Sequence, residues 1–337
     1  MKRRVVGVLC VQALLLAAAT GFGQQQMPKR IGWVGNYMMH EWYQTELRGM
    51  KARAAQLGIQ LEVDDANLDM ARQVSMAEDL MAKGVDVLII TPVQQEGAEA
   101  IVKKAKAEGI PLVIEGSPVK GMTTIVAISD YDCGFKGGVE TGKYVKAKLG
   151  GKARILAVDL PALRPCILRV DGFVDGIKTV IPDAVVVHRI DGQGLKDKVL
   201  QVATDALTKD SNINVIYGCN DDSALGAMQA YKAAGLDTKK LVVCGTGSEG
   251  LAFIKAMQEG GAYKVEAAMF PEAVGYECIN MAVKLFNKET VPPHWVTPTF
   301  ALTADTWSQY YSLNGDVRTI NWDMVNKIPR EPKATKY

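Results

Sequence analysis

Short apolar runs alternate along the chain with longer stretches in which apolar residues recur every three to four positions. The short runs predict buried strands, and the longer stretches predict amphipathic helices. We predict strands over residues 30–34, 60–63, 87–90, 112–114, 124–128, 154–158, 185–189, 215–217, 241–243 and 264–268. We predict helices over residues 44–57, 71–83, 96–108, 133–148, 169–180, 196–209, 223–234, 249–259 and 273–287. This alternation indicates parallel sheets covered by helices on both faces.

The number of strands and the length of the chain favour two sheets over one. A chain of 337 residues exceeds what one hydrophobic core usually organises. We therefore predict an α/β fold with two doubly wound parallel-sheet lobes joined by a hinge. The predicted lobes are 29–128 plus 270–296, and 129–269 plus 297–337. The alternative is an eight-fold α/β barrel, but too few residues separate the strands at 112–114 and 124–128 for a covering helix.

The start of the chain has the order of features found in a secretory signal peptide. Three basic residues, Lys2 to Arg4, precede an apolar run over 5–19, and small residues follow at 21–23. We predict that residues 1–23 are a signal peptide that is cleaved, which places the mature protein in the periplasm. The alternative is a membrane anchor, but the run is shorter than the roughly 20 residues of a bilayer span. No later stretch reaches that length, so we expect a soluble mature protein.

The composition and net charge of the chain argue against a nucleic-acid partner. The chain is 48% hydrophobic and 23% charged, as in ordinary globular proteins. Its 39 basic and 37 acidic residues give a net charge of +2, without the basic field that nucleic-acid binding requires. Five cysteines follow the predicted signal peptide, at 133, 166, 219, 244 and 278, without a C-x-x-C pair, and we expect buried free thiols.

Candidate chemistry lies just after the predicted strands, because ligands of open α/β sheets bind at the carboxyl ends of the strands. Hydrogen-bonding and aromatic residues dominate there, and no nucleophile stands beside a base. Asp221 and Asp222 begin a predicted helix, so we expect them to cap its free amides. The three histidines, His40, His188 and His294, lack metal-ligand spacing. We expect no catalytic residues, no metal and no cofactor.

One motif favours a different class of protein. Residues 245–250 form a G-x-G-x-x-G sequence between a predicted strand and helix, and Glu266 follows where a ribose-binding acid could lie. An exported dinucleotide-dependent enzyme is therefore an alternative. The motif lies deep in the chain instead of opening the fold, and a tight glycine turn explains the same residues.

Four segments, taken in order, carry a resemblance to a known family. They are Trp42-Tyr43 before a helix ending at Leu57-Gly58, Gly109-Ile110-Pro111 before the fourth strand, the segment 169–173, and the segment 219–227. The chain resembles the ribose-type periplasmic sugar-binding proteins from about Arg30 to Pro298. These are solute receptors of ABC importers with the type I periplasmic-binding fold.

The resemblance implies a set of ligand-binding residues. Trp42 and Tyr43 match the paired aromatics that stack on a sugar ring. Asn36 and His40 occupy polar positions of the same loop. Arg169 matches an arginine that donates to sugar oxygens, Asn220 matches an amide ligand, and Gln193 lies near a further ligand position.

The chain also departs from the family pattern at three positions. Gly116, with Ser117 beside it, and Thr246 stand where the family usually carries aspartates, and Met269 replaces a hinge glutamine. The expected site is therefore rich in donors and poor in strong acceptors, unless Glu115, Asp221 or Asp222 turns inward.

The expected function is that of a non-catalytic, monomeric receptor whose lobes close over a small sugar or sugar alcohol and present it to a membrane permease. The alternative ligand is a sugar acid or another small polar metabolite, because it would supply acceptor oxygens itself.

Overall fold

The computed structural model describes residues 26–330, so the predicted signal peptide lies outside the described residues. Its strands are β1 Arg30–Gly35, β2 Gln60–Asp65, β3 Val87–Ile90, β4 Leu112–Glu115, β5 Ile125–Ala127, β6 Arg154–Asp159, β7 Val185–Asp191, β8 Val215–Gly218, β9 Val242–Gly247, β10 Tyr263–Ala268, β11 His294–Val296, β12 Phe300–Thr303, β13 Tyr311–Asn314 and β14 Val317–Ile320. Its helices are α1 Glu41–Leu57, α2 Met70–Ala82, α3 Gln95–Ala107, α4 Asp130–Lys148, α5 Arg164–Lys178, α6 Lys196–Lys209, α7 Asp221–Ala233, α8 Ala252–Gln258, α9 Pro271–Phe286, α10 Trp307–Tyr310 and α11 Trp322–Val325.

Two six-stranded sheets organise the molecule, and we call the halves built on them the first and second lobes. The first sheet has the order β11-β5-β4-β3-β1-β2, and all of its pairs are parallel. The second has the order β12-β10-β9-β8-β6-β7, in which β12 pairs with β10 antiparallel. The chain passes from the first sheet to the second after β5, returns after β10, and passes again after β11. The prediction of two doubly wound lobes is confirmed.

All ten predicted strands and nine predicted helices are present, with shifts at their ends. The largest shifts are in α5, which begins at Arg164 five residues before the predicted start, and in β9, which ends at Gly247 four residues after the predicted end. Strands β11 and β12 and everything after them were not predicted. They are short and partly exposed, so their apolar patterns are weak.

Each sheet is buried on both faces, as a doubly wound architecture requires. In the first lobe, α2 and α3 cover one face and α1 and α9 cover the other. In the second lobe, α4 and α5 cover one face, while α6, α7 and α8 cover the other. The carboxyl ends of both sets of parallel strands remain free of covering helices and define the cleft.

Two helix pairs approach so closely that only glycine fits between them. A Cβ on Gly134 of α4 would overlap the carbonyl oxygen of Arg169 in α5. A Cβ on Gly49 of α1 would overlap the carbonyl oxygen of Glu272 in α9. The first pair fixes the position of Arg169 in the second lobe, and the second pair fixes the start of α9 beside the hinge.

The last part of the described chain packs on the second lobe. The hairpin of β13 and β14 follows α10, and Tyr310, Tyr311 and Ile320 join the core cluster that contains Phe253 and Phe270. Within residues 26–330, no helix has the length and apolar character needed to cross a membrane.

Candidate functional site

The cleft between the lobes is closed by direct contacts. The Thr45 hydroxyl, near the start of α1, donates to the carbonyl oxygen of Glu249 at 2.9 Å. The Glu41 carboxylate packs against Gly250, where a Cβ would displace it. Side chains from both lobes therefore line one shared space.

Three residues at the start of α1 form the aromatic wall of the first lobe. His40 is the N-cap of the helix, and its Nδ1 accepts from the amide of Trp42 at 3.2 Å. Trp42 and Tyr43 both pack in part against the core of the first lobe. Trp42 also reaches the cluster of Cys133, Ala267 and Met269 in the second lobe. The two aromatics thus face the cleft and also anchor α1.

Asn36 and Tyr43 form a polar pair beside this wall. The Asn36 amide donates to the Tyr43 hydroxyl at 3.0 Å, while Asn36 Oδ1 is buried without a hydrogen-bond partner. Charged groups of both lobes act on the pKa of His40. Burial lowers its pKa, Asp222 and Glu41 raise it, and Arg169 lowers it. The net lowering keeps the ring neutral at pH 7.

Arg169 is the buried cation of the second lobe. Its Nε donates to Asp130 Oδ1 at 2.7 Å, and its Nη1 donates to the carbonyl oxygen of Cys219 at 3.1 Å. Burial opposes its charge, but Asp130 holds the pKa of Arg169 well above its ordinary value. Asp130, at the first turn of α4, therefore supplies the counter-charge of Arg169.

Asn220 and the acids after it form the N-terminus of α7. Asn220 Oδ1 accepts from the amide of Ser223 at 2.9 Å, and its Nδ2 donates to the carbonyl oxygen of Gly194 at 3.1 Å. The cap is therefore Asn220, and not Asp221 or Asp222 as the sequence suggested. Asp221 Oδ2 instead accepts from the amide of Glu249 at 3.0 Å and holds the loop after β9.

Five further residues that the sequence suggested as ligand contacts differ in how far they are buried. Thr246 is fully buried, and its hydroxyl donates to the Tyr217 hydroxyl at 2.8 Å, inside the second lobe. Gly116 is exposed with a φ of 79°, and Ser117 is half-buried beside it. Gln193 is exposed on the loop after β7. Met269 is buried at the hinge, in the cluster that Trp42 contacts.

Sequence reasoning underestimated the carboxyl groups of the cleft. Glu115 ends β4 and is 3% exposed, and burial raises its pKa to about 7. Glu249 lies on the loop after β9, and burial raises its pKa to about 8 although Arg169 lowers it. Burial and the Glu115 charge raise the pKa of Glu46, which is fully buried on α1. The condition that Glu115 turns inward is met, so the site has strong acceptors.

Two signals in the sequence could have found these groups. Glu115 is the last residue of a strand, where the register turns it toward α1 and α9 at the cleft end of the sheet. Glu249 sits in the glycine motif, which the sequence indicated as a tight turn and in which Thr246 was the candidate side chain.

In the structure, the glycine motif and Glu266 are joined by hydrogen bonds inside the second lobe. The amide of Ser248 donates to Glu266 Oε1 at 2.6 Å, and the hydroxyl of Tyr263 donates to Glu266 Oε2 at 2.7 Å. Glu266 is fully buried, so it faces no ribose. The helix begins only at Ala252, after the motif has ended. These contacts disfavour a dinucleotide site there.

The described histidines, cysteines and acids show no metal geometry. Within residues 26–330, no group of three or more such side chains is arranged to hold a metal ion. All five described cysteines are buried and free, which confirms the expectation of free thiols.

Comparisons with known proteins assign the family. Residues 31–290 match the family model described as periplasmic binding protein domain. The chain is 26% identical over 251 residues to the ribose import binding protein RbsB of Bacillus subtilis, covering 70% of this chain and 79% of the relative. It is 28% identical over 278 residues to the galactofuranose-binding protein YtfQ of Escherichia coli, covering 78% and 82%.

A solved structure agrees with this assignment at the level of the fold. An ABC transporter periplasmic solute-binding protein from Actinobacillus succinogenes with bound D-allose superposes with a TM-score of 0.75 at 23% identity, covering 83% of this chain and 99% of that chain. The protein belongs to the periplasmic binding protein domain family. The resemblance noted in the sequence is thereby confirmed.

Proposed function

We propose that this protein is a solute receptor of an ABC importer that binds a small sugar or sugar alcohol between its lobes. The observation that carries the proposal is the closed cleft, where aromatic and hydrogen-bonding side chains from both lobes converge. Relatives that import ribose or bind galactofuranose support the same ligand class. A ring with several hydroxyls needs apolar faces to stack on and fixed donors and acceptors at its edge.

The cleft supplies both kinds of contact. Trp42 and Tyr43 offer aromatic faces, and Asn36 and Glu115 offer acceptors from the first lobe. Arg169 offers donors from the second lobe, held in place by Asp130 and the Cys219 carbonyl. We place Thr246 and Met269 behind this surface, because Thr246 is hydrogen-bonded inside the second lobe and Met269 packs at the hinge.

Binding would be coupled to closure of the lobes. A solute that contacts both lobes stabilises the closed arrangement, and a permease can read that shift. The cleft holds no nucleophile paired with a base, so its groups suit binding and not catalysis. We further propose that the mature chain is monomeric and periplasmic after removal of residues 1–23.

The acidic lining disfavours the alternative of a sugar acid. A ligand carboxylate would meet Glu115 and Glu249 in a buried site, and like charges at close range are costly there.

Mass spectrometry of solute released from the purified protein tests the proposal, followed by a thermal-shift screen of sugars, polyols and sugar acids. We expect a sugar or polyol to raise the melting temperature. Tyr43→Phe should weaken the binding of that ligand, because it removes the hydroxyl that accepts a hydrogen bond from Asn36. Tyr276→Phe is the matched control, because its hydroxyl contacts Gln56 on the outer face. Stabilisation by none of these solutes would overturn the proposal.

A further inference from the structure

Three carboxyl groups from three different elements lie near the start of α1, where the Thr45 hydroxyl donates to the carbonyl oxygen of Glu249 at 2.9 Å. Burial and the charges of Glu115, Glu46 and Glu249 all raise the pKa of the Tyr43 hydroxyl, which lies on the same helix. Glu46 belongs to α1, Glu115 ends β4, and Glu249 comes from the loop after β9. Both lobes therefore contribute negative charge to the same space.

The acceptors at this point exceed the donors. Glu115 Oε2 is buried without a hydrogen-bond partner in the first lobe, and so is Asn36 Oδ1. Glu115 is 3% exposed, and its carboxyl group has a side-chain hydrogen bond with Thr91, so its Oε2 is the acceptor that is left unpartnered. Such groups are costly unless something donates to them. A ligand that completes this site must bring donors.

The charges of the cleft are also unbalanced. Two cations lie near Glu249, but Arg169 is already paired with Asp130, and Arg318, which donates to the Glu249 carbonyl oxygen at 3.3 Å, is paired with Glu272. Asp222, Glu266 and Glu41 add further negative charge around Glu249.

The first lobe does not restore the balance. His40 faces Asp222, Glu41 and Arg169, and its net pKa shift is downward, so its ring carries no charge at pH 7. Glu115 faces Glu46 and Tyr43, and neither of these is a cation.

We propose that the preferred ligand carries a protonated amino group, as an amino sugar or an aminated cyclitol does, and that Glu115 and Glu249 receive it from opposite lobes. This inference rests on the proposed function as a sugar receptor. An ammonium group supplies three donors and one positive charge, whereas a hydroxyl supplies one donor and no charge. An ammonium group would therefore donate to the unpartnered acceptors and offset the excess of negative charge.

Binding of such a ligand would release protons. In the unliganded protein at neutral pH, burial keeps protons on part of the carboxyl groups, since the pKa is about 7 for Glu115 and about 8 for Glu249. An ammonium group beside them favours the carboxylate, so the protons leave to the buffer as the ligand enters. A neutral sugar at the same place would release none.

Isothermal titration calorimetry with matched ligand pairs tests the inference. The pairs are D-glucose with D-glucosamine, D-galactose with D-galactosamine, D-mannose with D-mannosamine, and scyllo-inositol with scyllo-inosamine, each at pH 7 in two buffers that differ in ionisation enthalpy. We expect at least one aminated member to bind ten-fold or more tightly than its neutral partner, with net proton release.

Variants identify the groups that receive the amine. Glu249→Gln and Glu115→Gln should each reduce affinity for the aminated ligand by at least ten-fold more than they reduce affinity for its neutral partner, because glutamine keeps an acceptor for a hydroxyl but loses the charge that an ammonium group needs. Glu259→Gln is the matched control, because Glu259 is exposed at the end of α8. Proton release by the wild-type protein decides the matter even if a variant fails to fold.

The outcomes separate this inference from the proposed function. Tighter binding of neutral members, or aminated binding without proton release, would overturn the inference and leave a sugar receptor. Binding of no sugar or cyclitol in the wider screen would overturn both.

Discussion

Arg318 and Glu272 form a buried ion pair that joins the C-terminal hairpin to the first turn of α9. Arg318 donates to Glu272 Oε1 from Nε at 3.0 Å and from Nη2 at 2.6 Å. The two side chains are only 3% and 10% exposed. Arg318 also donates to the carbonyl oxygens of Ser248 and Gly250, on either side of Glu249. One side chain thus connects the loop that carries Glu249 to a helix of the first lobe.

Replacing Arg318 should destabilise the protein. Arg318→Ala would leave the Glu272 carboxylate and several carbonyl oxygens without their donor, and removing one member of a buried pair costs about 3 to 5 kcal/mol. We expect urea unfolding to show a loss of this size. Ligand affinity should fall as well, since the Glu249 loop loses its support.

A second pair on the same hairpin provides the control. Lys255 and Asp316 are 3.0 Å apart, with side chains 57% and 84% exposed. Lys255→Ala should leave the unfolding free energy nearly unchanged, because exposed pairs contribute little. Equal losses for the two variants would contradict the role given to Arg318.

Replacing Arg169 should weaken binding and also lower stability, because it leaves the buried Asp130 carboxylate without its partner. Arg169→Ala removes the donors of the second lobe that face the ligand, and we expect calorimetry to show a loss of roughly 2 to 4 kcal/mol in binding free energy. Arg72→Ala, at an exposed position on α2, should bind normally. Normal affinity in the Arg169 variant would remove this residue from the site.

The close approach of α4 and α5 should make Gly134 intolerant of any side chain. Gly134→Ala would push the Cβ into the carbonyl oxygen of Arg169, and overpacking of this kind costs about 1 to 3 kcal/mol. It should also displace Arg169 from Asp130 and reduce affinity. Gly261→Ala is the control, because a Cβ at that position would have no atom within 4 Å outside its chain neighbours. Thermal unfolding should show a lower melting temperature, and calorimetry a lower affinity, for Gly134→Ala than for Gly261→Ala. Equal values for the two variants would contradict this prediction.

The buried carboxyl groups predict the direction of the pH dependence of stability. Folded pKa values of about 7 for Glu115 and about 8 for Glu249 exceed those of exposed glutamates. Between the unfolded and folded values, the native state binds more protons than the unfolded state. The unfolding free energy should therefore fall as pH rises from about 5 to 8, by at most about 1.4 kcal/mol per pH unit for each group.

The Glu115 variant tests the origin of that slope. Glu115→Gln should flatten it, and Glu96→Gln, at an exposed position of α3, should leave it unchanged. Denaturant unfolding of the unliganded protein at several pH values measures the slope. A rising slope, or a slope that Glu115→Gln leaves intact, would contradict the assignment.

The sequence predicted the lobes well because period and strand length are local properties. Buried parallel strands form unbroken apolar runs, and both ends of one of them, Val87–Ile90, were predicted to the residue. The C-terminal hairpin was missed because Val317 and its neighbours alternate weakly and are partly exposed. Its stability comes from contacts with Phe253 and Phe270, which are distant in the sequence.

The candidate site was predicted less completely, for a related reason. Asn36, Tyr43 and Arg169 could be placed at strand ends and helix starts from the sequence. The partner of Arg169 could not, because Asp130 lies 39 positions away and meets it only where glycines bring two helices together. Resemblance also drew attention to Gly116 and Thr246, while the adjacent Glu115 and nearby Glu249 carry the charge.

The position of Cys133 makes cleft opening measurable without an added label. Its thiol is 1% exposed in the cluster against which Trp42 packs from the opposite lobe. Separation of the lobes would withdraw Trp42 and admit water to this cluster, whereas Cys278 would remain inside the core of the first lobe. The alkylation rate of Cys133 therefore follows the population of the open state, and a bound solute should slow that reaction as its occupancy rises.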